Sequence, residues 1–154
     1  MMDELLRSLY QEVIIDHSRN PRNFGSLENA NCSAEGVNPL CGDELEVKCR
    51  LNGHDVIEDI KFVGRGCAIS LASASIMTEM IKGMKREDAE ALFERFRSLV
   101  TTAPGSADSS HGDIGKLDVL SGVREFPTRV KCATLAWHTA VSAINRSDDV
   151  VTTE

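Results

Sequence analysis

Over residues 44–51 polar and apolar side chains alternate without a break, with Leu45, Val47, Cys49 and Leu51 on one side and Glu44, Glu46, Lys48 and Arg50 on the other. A period of two is that of a strand with one face buried. Asn52-Gly53 then supplies a hairpin signal, and Ile57, Ile60, Phe62 and Val63 predict the returning strand, so the sheet is expected to be antiparallel. That second strand runs directly into Gly64-Arg65-Gly66-Cys67.

Elsewhere the period is helical. Leu5, Leu6, Leu9, Tyr10, Val13 and Ile14 predict an amphipathic helix over about 3–17, ended by Pro21. Residues 23–37 are irregular, with one short edge strand expected around 32–34. After Cys67, the residues Ile69, Leu71, Ala72, Ile76 and Met80 stand among small neighbours and predict a tightly packable helix to about Lys82-Gly83. Ala89, Leu92, Phe93, Phe96 and Leu99 form the apolar stripe of another, over 86–100.

Residues 101–115 have the Pro, Gly and Ser composition of a mobile surface loop, and the apolar positions from Leu117 to Phe126 read as short turns. Pro127-Thr128 opens a last helix to about Asn145, with Thr128 placed to cap it. Its expected buried stripe is Val130, Ala133, Trp137, Ala140, Val141 and Ile144, with Cys132 off that stripe near the first turn. The tail 146–154 is polar and expected to fray. The whole, residues 1–154, reads as one domain of α+β class: a small antiparallel sheet packed against several helices.

Composition agrees with one soluble domain, since 154 residues can bury a core without cross-links and no apolar run approaches the roughly 20 residues that span a bilayer. The net charge of −7 disfavours phosphate backbones, so no nucleic-acid partner is expected. The acidic N-terminus has the wrong order of regions for a secretory signal, which points to the cytoplasm. Five cysteines, an odd number, then imply reduced, ligating or reactive thiols rather than a disulfide framework.

The cysteines separate by context. Cys49 is on the inward side of the alternating strand and reads as a small core residue, and Cys32 as a structural one. Cys41 lies between Pro39 and Gly42, on a turn that presents a thiol rather than packing it, with Asp43 two positions on. Cys67 follows a strand and a Gly-x-Gly turn and opens a helix, where free N–H groups favour a thiolate, and Cys132 is expected to share that placement. Cys41, Asp43, Cys67 and Cys132 are therefore four candidate ligands, the number a closed tetrahedral zinc site requires.

Their spacing is far from the paired C-x₂-C pattern of zinc ribbons, so a shared metal site competes with a cysteine nucleophile, Cys132, served by His138 or His111. His138 stands six residues further along the same helix, on a different face, which makes that pair poor. His17, His54 and His111 read as solvated histidines. Arg65 reads as a loop charge or, beside Cys67, as a group that stabilises a thiolate or persulfide.

Four segments carry a resemblance. Residues 9–17, Leu-Tyr-Gln-Glu-Val-Ile-Ile-Asp-His, with Asn20-Pro21-Arg22-Asn23; Asn38-Pro39-Leu40-Cys41-Gly42-Asp43; Gly64-Arg65-Gly66-Cys67-Ala68-Ile69-Ser70; and Arg129-Val130-Lys131-Cys132-Ala133-Thr134-Leu135 together resemble the iron–sulfur scaffold family of IscU and NifU N-terminal type. Within it the chain is more similar to the SufU branch. It carries an extra stretch, roughly 104–128, and has Lys131 where IscU-type scaffolds place a histidine ligand.

The resemblance implies an α+β fold with a small antiparallel sheet and a zinc site made by Cys41, Asp43, Cys67 and Cys132. It further implies that Cys41 accepts sulfur from a SufS-type, pyridoxal-phosphate-dependent cysteine desulfurase, the pyridoxal phosphate belonging to that partner. Downstream recipients would be a SufBCD-type scaffold or apo iron–sulfur proteins. Two alternatives stand beside this: a scaffold that builds a 2Fe–2S or 4Fe–4S cluster on the same residues, and a structural zinc domain without sulfur chemistry.

Overall fold

The alternation over 44–51 is realised in a strand whose inward residues, Leu45, Val47, Cys49 and Leu51, are all buried. The structure, a computed structural model, describes residues 4–101, 115–146 and 150–153. The loop expected over 101–115 therefore lies almost wholly outside the described residues. In chain order the elements are α1 (Glu4–Arg19), β1 (Cys32–Asn38), β2 (Asp43–Leu51), β3 (Ile57–Arg65), α2 (Ala68–Ile81), α3 (Arg86–Thr101), a 3₁₀ segment (Gly115–Glu125), α4 (Pro127–Ile144) and β4 (Val151–Thr152). The class is α+β, as the sequence predicts.

The sheet runs β3-β2-β1-β4. β1, β2 and β3 are antiparallel as expected, but β4 lies parallel to β1, so the sheet is mixed. A parallel neighbour needs a crossover, and α4 supplies it by carrying the chain across the sheet before β4 begins. Part of the tail expected to fray thus forms an edge strand. β1 is also longer than expected and interior: it extends to Asn38 and is paired on both sides. Ser-Ala-Glu-Gly-Val-Asn has little strand propensity of its own. A seven-residue ladder with β2 and burial under α4 hold it instead.

The hairpin is wider than a two-residue turn. Asn52 Oδ1 accepts the N–H groups of His54 and Val56, Asp55 takes a positive φ of 60°, and the register shifts between Arg50 and Leu51. The asparagine side chain thus organises a five-residue connection.

α4 packs on the inner face of the sheet and α2 packs on α4, with α1 beyond α2. Ser70, Ala72, Ser73, Ala74 and Ser75 are buried on nearly every side of α2, because small side chains let α1 and α4 approach together. This explains why α2 shows no single stripe. In α1 the expected stripe is turned: Leu5 and Leu9 are exposed, whereas Tyr10, Val13 and Ile14 are half-buried and lead to a fully buried His17.

The turns expected before the last helix form a 3₁₀ segment. Its buried Leu117, Leu120 and Val123 recur every third residue, the spacing that three residues per turn brings onto one face. Pro127 occupies the first turn of α4 after Phe126, which makes no side-chain cap, so Thr128 lies inside the helix rather than capping it. Trp137 of α4 stacks on Phe93 and leans on Phe96 of α3, at centroid distances of 5.9 and 5.5 Å, closing the core on that side. Among the described residues no helix is long and apolar enough to cross a membrane.

Candidate metal centre

β1 ends at Asn38 and β2 begins at Asp43, its register partner, with the turn 39–42 between them. The Cys41 N–H closes that turn on the Asn38 carbonyl at 3.2 Å, and Gly42 takes a φ of 73°, a left-handed conformation that glycine adopts without cost. Cys41 is exposed at the tip, as the turn chemistry predicts.

Asp43 is not a solvated turn carboxylate. It is 1% exposed, and Oδ1 accepts the backbone N–H of Cys67 at 2.9 Å. A Cβ on Gly66 would stand 2.5 Å from that same oxygen, so the second glycine of the Gly-x-Gly turn makes room for this carboxylate. Gly64, with a φ of 151°, lies against the Glu44 carbonyl in the neighbouring strand. Cys67 caps α2 as expected, its sulfur accepting the Ser70 N–H at 3.4 Å.

Cys132 departs from expectation. It lies in the second turn of α4, not at the helix start, and is 0% exposed rather than projecting from the buried stripe. A helix covered by the sheet on one side and α2 on the other has no free face here. Ser73 Oγ donates to the Ala133 carbonyl at 2.5 Å, tying this turn to α2. The Cys132 thiol donates to Cys41 Sγ at 3.3 Å. Burial pushes its pKa up, and the hydrogen bond with Cys41 and the negative charges available to Cys67 and Asp43 push it further. In the metal-free protein it is a neutral thiol at neutral pH.

One ligand atom each from Cys41, Asp43 and Cys132 fall within 4.8 Å of one another. Tetrahedral zinc at about 2.3 Å from sulfur separates its ligands by about 3.8 Å, so these atoms suit such an ion with small adjustments. Two soft sulfurs and one carboxylate are a zinc donor set, and equally one that iron accepts. The sulfur of Cys67 is not in that group. Its residue joins through its backbone bond to Asp43, one strand end away.

The remaining candidates fall elsewhere. Cys32 and Cys49 are buried register partners at the far end of the β1–β2 ladder, and burial together with Cys32 raises the Cys49 thiol above its usual range, as befits core residues. His138 is half-buried and meets Phe93 edge-on at 4.8 Å, while the Cys132 sulfur contacts Cys41, Asn38 and the Thr128 carbonyl. His54 is exposed in its turn and His111 lies outside the described residues. His17, expected to be solvated, is buried with Nδ1 2.7 Å from Ser75 Oγ; the sequence signal was its place on the Tyr10, Val13, Ile14 line. Arg65 is 80% exposed and pairs with Glu44 at 3.2 Å on the rim.

Sequence reasoning gave Asn38 no role beyond its motif. Its side-chain nitrogen lies 3.5 Å from Asp43 Oδ2 and 3.6 Å from Cys132 Sγ. An asparagine, which carries two side-chain donors, three positions before Cys41 and five before Asp43 is the signal that could have found it.

Residues 9–133 match the family described as NifU-like N terminal domain. The chain is 44% identical over 132 residues to the zinc-dependent sulfurtransferase SufU of Bacillus subtilis (strain 168), covering 86% of each chain. It is 39% identical over 142 residues to the iron–sulfur cluster assembly scaffold protein IscU of Streptococcus pyogenes serotype M1, covering 92% of this chain and 86% of that one. Among solved structures, the putative iron–sulfur cluster assembly scaffold protein for the SUF system from Fervidobacterium islandicum AW-1 superposes with a TM-score of 0.77 at 34% identity, over 90% of this chain and 98% of its own.

Proposed function

Because the chain belongs to the NifU-like N-terminal domain family, we propose that it is a zinc-dependent sulfur acceptor in iron–sulfur cluster assembly, taking sulfur on Cys41 from a SufS-type cysteine desulfurase. The observation that carries this reading is an asymmetry: Cys41 is exposed on a turn, while Asp43 and Cys132 beside it are buried. One arm of the site can meet a partner and two cannot. Similarity to a protein named as a zinc-dependent sulfurtransferase supports the same assignment.

In this reading Cys41, Asp43, Cys67 and Cys132 hold zinc, Cys67 joining by a side-chain rotation from its helix cap. Bound zinc keeps the thiols deprotonated near neutral pH and offsets their charge. The Cys41 thiolate attacks the outer sulfur of the desulfurase persulfide. The sulfur–sulfur bond breaks, its electron pair leaves with the desulfurase cysteine as thiolate, and Cys41 departs as a persulfide. Asp43 and Cys132 stay anchored, one by the Cys67 N–H and the other by α4. Free thiols on all five cysteines suit a reducing cytoplasm. The sulfur then passes to a SufBCD-type scaffold or to apo iron–sulfur proteins.

Similarity to the streptococcal scaffold protein favours a second reading, in which the same residues carry a 2Fe–2S or 4Fe–4S cluster. Metal content of the purified protein and desulfurase turnover, each measured for wild type and Cys41→Ala, separate the readings. A zinc-loaded wild type that accelerates turnover, with Cys41→Ala inert, supports the acceptor. Unchanged turnover together with a stable visible chromophore after anaerobic iron and sulfide supports the scaffold.

A further inference from the structure

Asn38 is 0% exposed, and its side chain faces two of the candidate ligands at once: Nδ2 is 3.5 Å from Asp43 Oδ2 and 3.6 Å from Cys132 Sγ. One amide nitrogen has two hydrogens, enough for both acceptors. The opposite amide orientation would set a carbonyl oxygen against a carboxylate oxygen. The adopted one leaves Oδ1 buried without a hydrogen-bond partner. Buried polar atoms are nearly always paired, so the orphaned oxygen calls for an explanation, and the two contacts of the donor nitrogen on the same amide offer one.

The usual structural duty of an asparagine before a turn is absent here. Such a residue accepts a turn N–H on its side-chain oxygen. In this turn the Cys41 N–H bonds to the Asn38 backbone carbonyl, which any residue would provide. The side chain is left to the ligands alone.

We propose that Asn38 is a positioning residue of the metal centre, its NH₂ group bridging Asp43 and Cys132 so that carboxylate and sulfur are held at ligand separation and part of their joint negative charge is offset. This rests on the functional reading above, since it requires a metal on those residues. Partners of this kind around a metal are typically worth 10–100-fold in affinity. Asn38 also lies at the end of β1, opposite Asp43 in register, so the bridge ties the exposed Cys41 turn to the buried half of the site.

The test is zinc affinity by competition with a chromophoric chelator, for wild type, Asn38→Ala and Asn38→Asp, with thermal melting of each metal-free protein. Both variants are expected to bind zinc about 10–100-fold more weakly. Asn38→Asp, which puts an acceptor where two donors were and a second carboxylate beside the buried Asp43, is expected to be the weaker and to melt lower even without metal, whereas metal-free Asn38→Ala is expected to melt close to wild type. A third readout needs no variant: the Asn38 side-chain NH₂ resonances of the wild type are expected to shift when zinc is added. Variants with wild-type affinity, or NH₂ resonances that zinc leaves unmoved, overturn the inference while the acceptor reading survives. A wild type that takes up no zinc overturns both.

Discussion

Gly66 and Asp43 occupy adjoining space: a methyl group on the glycine would stand 2.5 Å from the carboxylate oxygen that accepts the Cys67 N–H. The neighbour is a buried side chain fixed by a hydrogen bond, so it can yield only by leaving its place. Gly66→Ala is therefore expected to cost about 1–3 kcal/mol of folding stability by overpacking and to weaken zinc binding by about 10-fold or more. Denaturant unfolding and chelator competition check the two parts. Unchanged zinc affinity would show that the carboxylate is not held where the geometry puts it.

The close crossing of β1 and α4 makes a second demand. A Cβ on Gly36 would collide with the Thr139 side chain, whose hydroxyl bonds to the Leu135 carbonyl. Gly36→Ala is expected to lower stability by about 1–3 kcal/mol. Adding Thr139→Ala should return part of that loss in a double-mutant cycle, with a coupling of at least about 0.5 kcal/mol. Strict additivity would mean the two residues do not press on one another.

Burial holds the His17 pKa below its usual value, and the nearby Lys116 and Arg22 charges act in the same direction. The unfolded chain, with a histidine near pH 6.5, then binds the proton first as pH falls. Stability from this group is complete above about pH 6.5 and is lost below it, toward the lower folded value. In metal-free protein, His17→Asn should flatten the acid side of the stability curve without abolishing the slope, because His138 is shifted in the same direction, mainly by burial. Parallel curves for wild type and variant would remove His17 from the account.

Thiol reactivity should follow exposure. Without metal, Cys41 is exposed, Cys67 intermediate, and Cys32, Cys49 and Cys132 are buried. Alkylation mapped by mass spectrometry is expected to label Cys41 first and Cys67 next, and to reach the others only on unfolding. Zinc should slow labelling of Cys41. Early modification of Cys132 would contradict its buried, protonated state.

Local sequence made much of this legible. The unbroken alternation over 44–51 located β2 and put Cys49 inside, and Pro39 with Gly42 announced an exposed Cys41. The stripe of α3, from Ala89 to Leu99, was equally clear because that helix has one covered face. What escaped were places where packing comes from two sides or from far along the chain. From sequence Cys132 projects from the stripe, because Ala133, Thr134 and Ala136 disguise a helix covered by both sheet and α2. His17 lies on the Tyr10, Val13 and Ile14 line, which hints at burial, but nothing local reveals Ser75, the partner that pairs it there. β1 is longer than its sequence suggests, because its composition is weak and its pairing on both sides is a tertiary fact. Convergence of Cys41 with Cys132 across 91 positions could come only from family resemblance or from structure.

Cys41 is the residue proposed to carry the sulfur. The most direct measurement incubates zinc-loaded protein with a SufS-type desulfurase and free cysteine, then maps persulfide by mass spectrometry under non-reducing conditions. One added sulfur is expected on the peptide holding Cys41, none on the peptides of Cys32 or Cys49, and no transfer to Cys41→Ser. Persulfide found on another cysteine, or formed equally well in Cys41→Ser, would contradict that role.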